Sequence, residues 1–287
     1  MSFSYFVVKL INHNLNDMKR PILFSVFLFS AIAGTMFLPS CSTVPLTGRQ
    51  QFNMIPESQL VAMSMTNYSQ FLSANKISTN RQKSEMLNRV GENIAIAVGE
   101  YLEQNGLSSR IQGYDWEFNL VDENVPNAWC MPGGKVVVYT GILPYTQTEA
   151  GLAVVMGHEI AHAIARHGNE RMSQALLIET GGLALAAAVD SKPDETKGLY
   201  MMAYGVGTSV GISLPYSRAH ESEADKLGLI FMAMADYNPQ EAVGFWGRMA
   251  QSGGQKPPEF LSTHPSNQTR IADLKAFLPE AMKYYKK

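Results

Sequence analysis

The stretch GLAVVMGHEIAHAIA, residues 151–165, constrains the fold more than any other part of the sequence. It is apolar on most sides, so the sequence predicts a helix from about 146 to 167 that is buried in the core. This helix carries His158, Glu159 and His162, and buried polar side chains need partners. A helix advances about 100° per residue, so the two histidines lie on one face and could bind one metal ion. The alternative, a helix with two ordinary surface histidines, is disfavoured by the apolar surroundings.

Composition narrows the class of protein and the kind of metal site. The chain has 287 residues, 46% of them hydrophobic, which is enough for one or two packed domains. A net charge of −2 without a dense basic stripe argues against nucleic acid as a partner. The two cysteines, Cys41 and Cys130, are too few for a disulfide scaffold and lack zinc-ribbon spacing. Any metal is therefore expected to be held by histidine and carboxylate side chains.

Most of the chain has helical spacing of apolar residues, and one central part differs. YDWEFNLVD alternates apolar and polar residues, and NAWCMPGGKVVVYTGIL has two β-prone runs around a Pro-Gly-Gly turn. The predicted fold class is α+β, mainly α-helical, with a small antiparallel sheet packed on the active-site helices. The apolar, Gly-rich stretches 176–189 and 200–215 are short for membrane spans, and we expect core helices or a hydrophobic lid there.

The N-terminal residues are expected to be a targeting segment. Lys19 and Arg20 precede an apolar run that ends in LPSC at 38–41, which resembles a bacterial lipoprotein signal with Cys41 as the lipidated residue. An uncleaved membrane anchor is the alternative, because the apolar run approaches the roughly 20 residues that a membrane-spanning helix needs. Either interpretation places the folded part outside the cytoplasm and attached to a membrane.

A candidate third metal ligand lies about sixty residues after the histidine pair. An extended motif with a further histidine is absent, because Ala165 and Gly168 occupy the positions that it would need. The segment SRAHESEADKLG instead offers Glu221 and Asp225 four residues apart on a predicted helix. Glu221 suits a carboxylate ligand, and Asp225 suits an acceptor that orients a ligand histidine through its outer ring nitrogen. Without the upstream motif, this segment would be interpreted as a solvated acidic helix face.

Four ordered motifs resemble a known family. HEIAH, ESEAD, NAWCMPGG and LSTHPSNQTRI, within about residues 45–285, are similar to the zinc metallopeptidases typified by HtpX and the CAAX prenyl protease type 1. The chain looks closest to the periplasmic BepA and LoiP branch of lipoproteins. The resemblance implies a zincin-type gluzincin domain with one Zn²⁺ per chain, held by His158, His162 and Glu221. It also implies Glu159 as the catalytic base and Asp225 as the carboxylate behind a ligand.

The resemblance also suggests roles for the segment STHPS. It places His264 over the metal as a catalytic hydrogen-bond donor to the oxyanion that forms during cleavage. His264 could equally be a fourth zinc ligand that keeps the resting enzyme inactive, and a lone loop histidine would otherwise be interpreted as structural. Arg270, a few residues later, is expected either to brace this loop or to be an ordinary surface arginine. His167 and His220 lie off the predicted metal-facing positions and are interpreted as structural.

The stretch before the Pro-Gly-Gly turn is a candidate substrate edge. Asn127, Ala128 and Trp129 could present an exposed strand to which an extended peptide adds by main-chain hydrogen bonds. Such binding is broad in specificity. The alternative for this stretch is a plain hairpin.

The predicted function is a membrane-tethered zinc endopeptidase that cleaves unfolded or misassembled proteins of the cell envelope. Its expected domains are a signal region at 1–40, a lipidated tether at 41–56 and a zinc metallopeptidase domain at 57–287. Within the signal region, the lipoprotein signal is expected to begin at about residue 18. Expected partners are unfolded polypeptides, a membrane through Cys41 and outer-membrane assembly machinery. The expected location is the bacterial cell envelope, on the outer membrane facing the periplasm.

Two other functions remain open. The chain could be a chaperone or assembly factor that uses the same cleft and seldom cuts. It could also be a latent enzyme that opens when a partner binds or when the His264 contact is lost.

Overall fold

The computed structural model describes residues 40–209, 214–251, 260–261, 264 and 268–286. The predicted signal sequence before residue 40 lies outside these residues. The strands are β1 (Ser40–Thr43), β2 (Gln50–Asn53), β3 (Glu117–Val121), β4 (Ala128–Met131) and β5 (Lys135–Tyr139). The helices are α1 (Glu57–Ala74), α2 (Arg81–Gln104), α3 (Leu143–Thr146), α4 (Glu149–Ile164), α5 (His167–Ala188), α6 (Asp194–Thr208), α7 (Leu214–Met234), α8 (Glu241–Gln251) and α9 (Gln268–Ala281). Mainly helical α+β architecture, as predicted, is confirmed.

The larger sheet is mixed, with the strand order β3-β5-β4. The tight turn at Gly133 and Gly134, both with positive φ, makes β4 and β5 antiparallel. The returning strand β5 inserts between the other two and runs parallel to β3, with Glu117 opposite Lys135. The prediction of a wholly antiparallel sheet is therefore wrong in this detail. Strand β5 is central and buried, and β4 is left at an edge of the described sheet.

Helix α4 lies at the centre of the fold. Its residues 151–164 are all buried, and α2, β4, α7 and α8 pack against it. Thr148 begins the helix by accepting a hydrogen bond from the amide of Gly151 at 3.0 Å. Because α4 is surrounded by other elements on all sides, each of its faces is buried away from water, and this explains its apolar composition.

Helices α4 and α7 are in direct backbone contact. A side chain at Gly157 would place its Cβ 2.9 Å from the carbonyl oxygen of Gly228, and one at Gly228 would be 2.9 Å from the amide nitrogen of His158. Only glycine allows two helix backbones to approach this closely. This contact brings the helix that carries the histidine pair next to the helix that carries Glu221.

The predicted helix from 146 to 167 is interrupted at its end. Helix α4 ends at Ile164, and α5 begins at His167 after Arg166, which has a φ of 59° in the left-handed region. This conformation is uncommon for a residue other than glycine, and it changes the chain direction between two helices. Because of this break, His167 does not lie where it would lie on a continuous helix.

The part of α5 after Ser173, together with α6, forms an exposed part of the molecule. Leu183 and Met202 are 68% and 66% exposed, so the described parts of the Gly-rich stretches 176–189 and 200–215 are not core helices, and a hydrophobic lid stays a prediction. In the part of the chain that the structure describes, no helix is long and apolar enough to cross a membrane.

The segment predicted as a tether contains β1 and β2, which pair with each other. The side-chain amide of Asn53 donates to the hydroxyl of Ser42 at 2.7 Å across the pair. Strand β2 packs against α5, and the amide of Met54 donates to the hydroxyl of Ser173 at 2.8 Å. The N-terminal strands therefore lie beside the helix that follows the histidine motif.

Candidate metal centre and active site

Helix α4 turns His158, Glu159 and His162 toward one buried point. The three side chains belong to residues that are only 2%, 4% and 8% exposed. The Nε2 atoms of the two histidines lie 3.1 Å apart, as their spacing of four residues predicts. Two imidazole nitrogens thus converge where one ion could contact both.

Helix α7 and residue 264 add two further groups. Glu221 places Oε2 3.3 Å from Nε2 of His158 and Oε1 3.3 Å from Nε2 of His162. His264 places Nδ1 3.1 Å from Nε2 of His158 and 2.9 Å from Oε2 of Glu221. The predicted third ligand therefore joins the histidine pair, and His264 joins the same cluster.

These four groups fit a tetrahedral metal ion. Their donor atoms all lie within 4.8 Å of one another. Zinc bonds to nitrogen and oxygen of about 2.0 to 2.2 Å put the corners of a tetrahedron about 3.3 Å or slightly more apart, close to the separations observed. Imidazole nitrogens aimed at one another without a cation would leave lone pairs or hydrogens in opposition. Two or three histidines with one carboxylate are donors that suit Zn²⁺.

The outer nitrogen of His158 is bound by a carboxylate, as the sequence predicts. Nδ1 of His158 lies 3.0 Å from Oδ1 of Asp225. Arg270 makes two hydrogen bonds to Asp225, at 2.7 and 2.8 Å, and its guanidinium stacks on the Trp246 ring at 3.4 Å. Burial opposes ionisation of Asp225, but Arg270 and His158 together outweigh it and lower the pKa of the carboxyl. Arg270 therefore braces Asp225, and through it the orientation of His158.

Glu159 is in a suitable state to accept a proton. Its Oε1 has no hydrogen-bond partner among the described residues and lies 3.5 Å from Nε2 of His264. Burial raises the pKa of the Glu159 carboxyl above its ordinary value. A carboxyl with a raised pKa next to a metal site is what a general base needs at neutral pH.

The outer nitrogen of His162 is bound by a second histidine. Nδ1 of His162 lies 2.9 Å from Nδ1 of His167, and Nε2 of His167 lies 3.1 Å from Oε2 of Glu223. Burial lowers the pKa of His167 to about 4, so its ring is neutral. Nothing in the sequence selects His167, because a continuous helix would direct it away from His162; the break at Arg166 brings the two rings together.

His220 also has a buried partner. Its Nε2 lies 2.9 Å from Oε2 of Glu170, and its ring stacks on that of His167 with centroids 4.2 Å apart. Glu170 and His220 are 1% and 2% exposed. The pair belongs to a polar cluster on the side of His162 that faces away from the metal position.

The predicted substrate edge lies on β4, beside α4. Asn127 accepts a hydrogen bond from the amide of Tyr139 at 3.0 Å, and Trp129 is opposite Val137 on β5. Because paired groups alternate along an antiparallel strand, the backbone groups that face away from β5 belong to Ala128 and Cys130. The backbone of Trp129 faces β5. Cys41 of the predicted lipidation site lies in β1.

Comparisons with known proteins give the family. Residues 59–278 match Peptidase family M48. Mitochondrial metalloendopeptidase OMA1 of Schizosaccharomyces pombe is 31% identical over 277 residues, 96% of this chain and 77% of that protein. Metalloendopeptidase OMA1, mitochondrial, of Homo sapiens is 26% identical over 281 residues, 96% of this chain and 53% of that protein. The beta-barrel assembly-enhancing protease of Yersinia pestis is 30% identical over 185 residues, 61% of this chain and 36% of that protein.

The names of these relatives correct the predicted location. OMA1 proteins from fungi, a plant and vertebrates are named as mitochondrial, which overturns the prediction of a lipid-anchored protein of the bacterial outer membrane facing the periplasm. A basic pair before an apolar run indicates targeting to a membrane, but it does not identify which membrane. The predicted BepA and LoiP branch is also not confirmed, because the assembly-enhancing proteases align over less of the chain than OMA1 of S. pombe and H. sapiens.

The family match spans the helices that carry His158, Glu159, His162 and Glu221, and the relatives are named as metalloendopeptidases. The resemblance to zinc metallopeptidases that the sequence motifs imply is confirmed at the level of the family. The chain belongs to Peptidase family M48 and is a zinc metalloendopeptidase.

Proposed function

We propose that the chain cleaves extended segments of unfolded or misassembled polypeptides, with zinc held by His158, His162 and Glu221. The observation that carries this proposal is the convergence of these three donors at 3.1 to 3.3 Å from one another. The buried carboxylate of Glu159 stands next to them on the same helix. This combination of two histidines, one carboxylate and an adjacent base is the arrangement of a metal-assisted hydrolase.

The reaction uses the groups around the metal position in defined roles. A zinc ion held there supplies a Lewis acid for the scissile carbonyl and an environment that lowers the pKa of water. Glu159 takes the proton of the attacking water and passes it to the leaving amine. Asp225 keeps the Nδ1 hydrogen of His158 in place, so that Nε2 remains available to the metal.

The geometry favours a resting state in which His264 closes the site. Nδ1 of His264 lies at 2.9 to 3.1 Å from the donors of Glu221 and His158, which is the position of a fourth ligand. A zinc ion with four protein ligands has no open position for water. Of the two roles that the sequence leaves open for His264, we therefore favour the fourth ligand, with activity requiring its withdrawal.

The substrate is proposed to bind along β4. The main-chain groups of Ala128 and Cys130 face away from β5, and the amide of Ala128 donates to Oδ1 of Asn127 at 2.9 Å. An extended peptide can pair with the carbonyl of Ala128 and the main chain of Cys130 without requiring a particular side-chain sequence. In the closed state the amide of Phe260 donates to the carbonyl of Pro126 at 3.2 Å, at the start of this edge. Unfolded polypeptides fit such a site because their backbone is available for pairing.

Cleavage of an unfolded protein tests the proposal. The substrate is reduced and carboxymethylated lysozyme, and the proteins are wild type, His264→Ala, and each of these with Glu159→Gln. We expect cleavage by His264→Ala and loss of cleavage, by at least about 100-fold, when Glu159→Gln is added. Equal zinc content in the matched pair shows that the substitution removes the base and not the metal. Persistent cleavage with Glu159→Gln at full zinc content would refute the role of Glu159.

A chaperone function is the second candidate, and the closed position of His264 favours it. Suppression of the aggregation of the same unfolded substrate is measured with Glu159→Gln, which cannot cut. Suppression at the wild-type level would support holding of clients by the same cleft. If the substrate aggregates to the same extent with and without the Glu159→Gln variant, the chaperone function is refuted and only the peptidase function remains.

A further inference from the structure

A buried cluster of charged and polar side chains lies behind the metal ligand His162. Glu223, Glu170 and His167 are 5%, 1% and 0% exposed, and none of them faces the metal position directly. Ionised carboxylates are costly to bury unless cations and hydrogen bonds satisfy them. The proposed peptidase reaction gives this cluster no role.

The hydrogen bonds from His162 into the cluster permit one arrangement of hydrogens. If Nε2 of His162 faces the metal, its Nδ1 carries the hydrogen and donates to Nδ1 of His167 at 2.9 Å. His167 then carries its own hydrogen on Nε2 and donates to Oε2 of Glu223 at 3.1 Å. The ring of His162 is thus oriented by a carboxylate that acts through an intervening imidazole.

Helix α7 therefore serves both ligand histidines. Asp225 contacts His158 directly, whereas Glu223 reaches His162 only through His167. Glu221, two residues before Glu223, is itself a ligand. Three acidic residues at alternating positions of one helix supply a ligand and the orienting carboxylate for each histidine.

The N-terminal segment holds the carboxylate of Glu223. The guanidinium of Arg49 donates to Glu223 at 2.9 and 3.0 Å and to Glu170 at 2.7 and 2.8 Å. The hydroxyl of Thr47 donates to Oε1 of Glu223 at 2.8 Å. The side-chain amide of Gln51 lies 2.5 Å from the carbonyl oxygen of Ala165, directly after α4. Residues 47–51 thereby connect the end of α4 with α5 and α7.

We propose that Glu223, His167 and Arg49 are positioning residues for the metal ligand His162, and that the segment 47–51 is a structural part of the metal centre. This inference rests on the proposed metal site. Changes in the N-terminal segment are transmitted to His162 through three hydrogen-bonded contacts, from Arg49 to Glu223, from Glu223 to His167 and from His167 to His162. Partners that orient a ligand histidine typically change metal affinity by about 10- to 100-fold when they are removed.

The first test is metal affinity in full-length variants at His167. His167→Leu removes both hydrogen bonds, whereas His167→Gln retains one acceptor and one donor on its amide. Zinc affinity is measured by competition with a chromophoric chelator, and ligand geometry by the visible absorption of the Co²⁺-substituted protein. We expect about 10- to 100-fold weaker zinc binding and an altered Co²⁺ spectrum for His167→Leu, with most of the affinity restored in His167→Gln.

The second test is made at the N-terminal segment. Arg49→Met and the milder Thr47→Val are compared with Arg248→Met, which removes a similarly exposed arginine from an ion pair with Glu241. We expect Arg49→Met to weaken zinc binding by about 10-fold or more, Thr47→Val to weaken it less, and Arg248→Met to leave it unchanged. Thr47→Val carries the test if His167→Leu or Arg49→Met fails to fold.

The outcomes separate this inference from the proposed function. Wild-type affinity and an unchanged Co²⁺ spectrum in folded His167→Leu or folded Arg49→Met would overturn the positioning role while leaving the metal site intact. The same result in Thr47→Val would overturn it if neither of those variants folds. Wild-type protein that binds no zinc would overturn the metal site and the inference with it. Equal losses in Arg248→Met would show a general effect of destabilisation and would also overturn it.

Discussion

Replacing Gly228 by alanine is expected to separate the two helices that build the metal centre. The new Cβ would lie 2.9 Å from the amide nitrogen of His158 and 3.0 Å from the carbonyl carbon of Gly157. Both are backbone atoms, which cannot rotate away as a side chain could. Ordinary van der Waals contact begins at 3.4 Å, whereas the new Cβ would lie 2.9 Å from the nitrogen of His158. Helices α4 and α7 must therefore separate by about 0.5 Å, the difference between these two values.

The structure gives a magnitude for this change. Overpacking of this kind costs about 1 to 3 kcal/mol, and alanine gains about 1 kcal/mol over glycine within a helix, so the net loss of stability is about 0 to 2 kcal/mol. Metal binding is expected to be the more sensitive property. Glu221 lies two helical turns before Gly228 on nearly the same face, and ligand distances tolerate only about 0.2 Å. We expect zinc affinity to fall by about 10-fold or more.

The assay pairs urea unfolding of the metal-free protein with zinc competition. Gly99→Ala in α2 is the matched control, since a Cβ there meets nothing within 4 Å. It should gain up to about 1 kcal/mol and leave zinc affinity unchanged. A Gly228→Ala protein that is as stable as Gly99→Ala and binds zinc like wild type would refute the claim that the glycine contact sets the ligand geometry.

Three further predictions follow from the contacts of the site. Asp225→Asn removes the charge that orients a ligand histidine, and chelator competition should show about 10- to 100-fold weaker zinc binding; unchanged affinity would contradict the role. His264→Ala should raise the rate of cleavage of an unfolded substrate, because it removes the proposed fourth ligand. A lower rate would contradict this role and would support His264 as a hydrogen-bond donor to the oxyanion. Burial opposes ionisation of Glu170, but Arg49 and His220 outweigh it and lower the pKa to about 2. Its stabilising contribution is complete above the ordinary pKa of 4.5 and is lost as the pH falls toward 2, so the free energy of unfolding in urea should fall over this range, less steeply for Glu170→Gln.

The local spacing of residues predicts which side chains of one helix lie close together. His158 and His162 converge because their positions on α4 require it, and Glu221 and Asp225 share a face of α7 for the same reason. The pairing of these two helices is predicted from the need for a third ligand and from the family resemblance, and neither gives its physical basis. Its physical basis, the contact between Gly157 and Gly228, is a tertiary feature that composition does not disclose.

The role of His167 could not be predicted because it depends on one backbone conformation. A continuous helix predicts that His167 points away from His162, and the left-handed Arg166 brings the two rings together. Arginine has no special preference for this conformation, so nothing at the level of residue type marks the break. The contacts of Arg49 with Glu170 and Glu223 also could not be predicted from local patterns, because the partners are more than 100 residues away in the sequence.

Zinc content and zinc K-edge X-ray absorption of the purified protein test the metal centre itself. We expect one zinc per chain with four nitrogen or oxygen ligands at about 2.0 to 2.2 Å. Three of these ligands should be imidazoles in the wild type and two in His264→Ala, while His162→Ala should lose zinc. A protein without stoichiometric zinc, or a zinc ion bound by sulphur, would contradict a metal centre built from His158, His162 and Glu221.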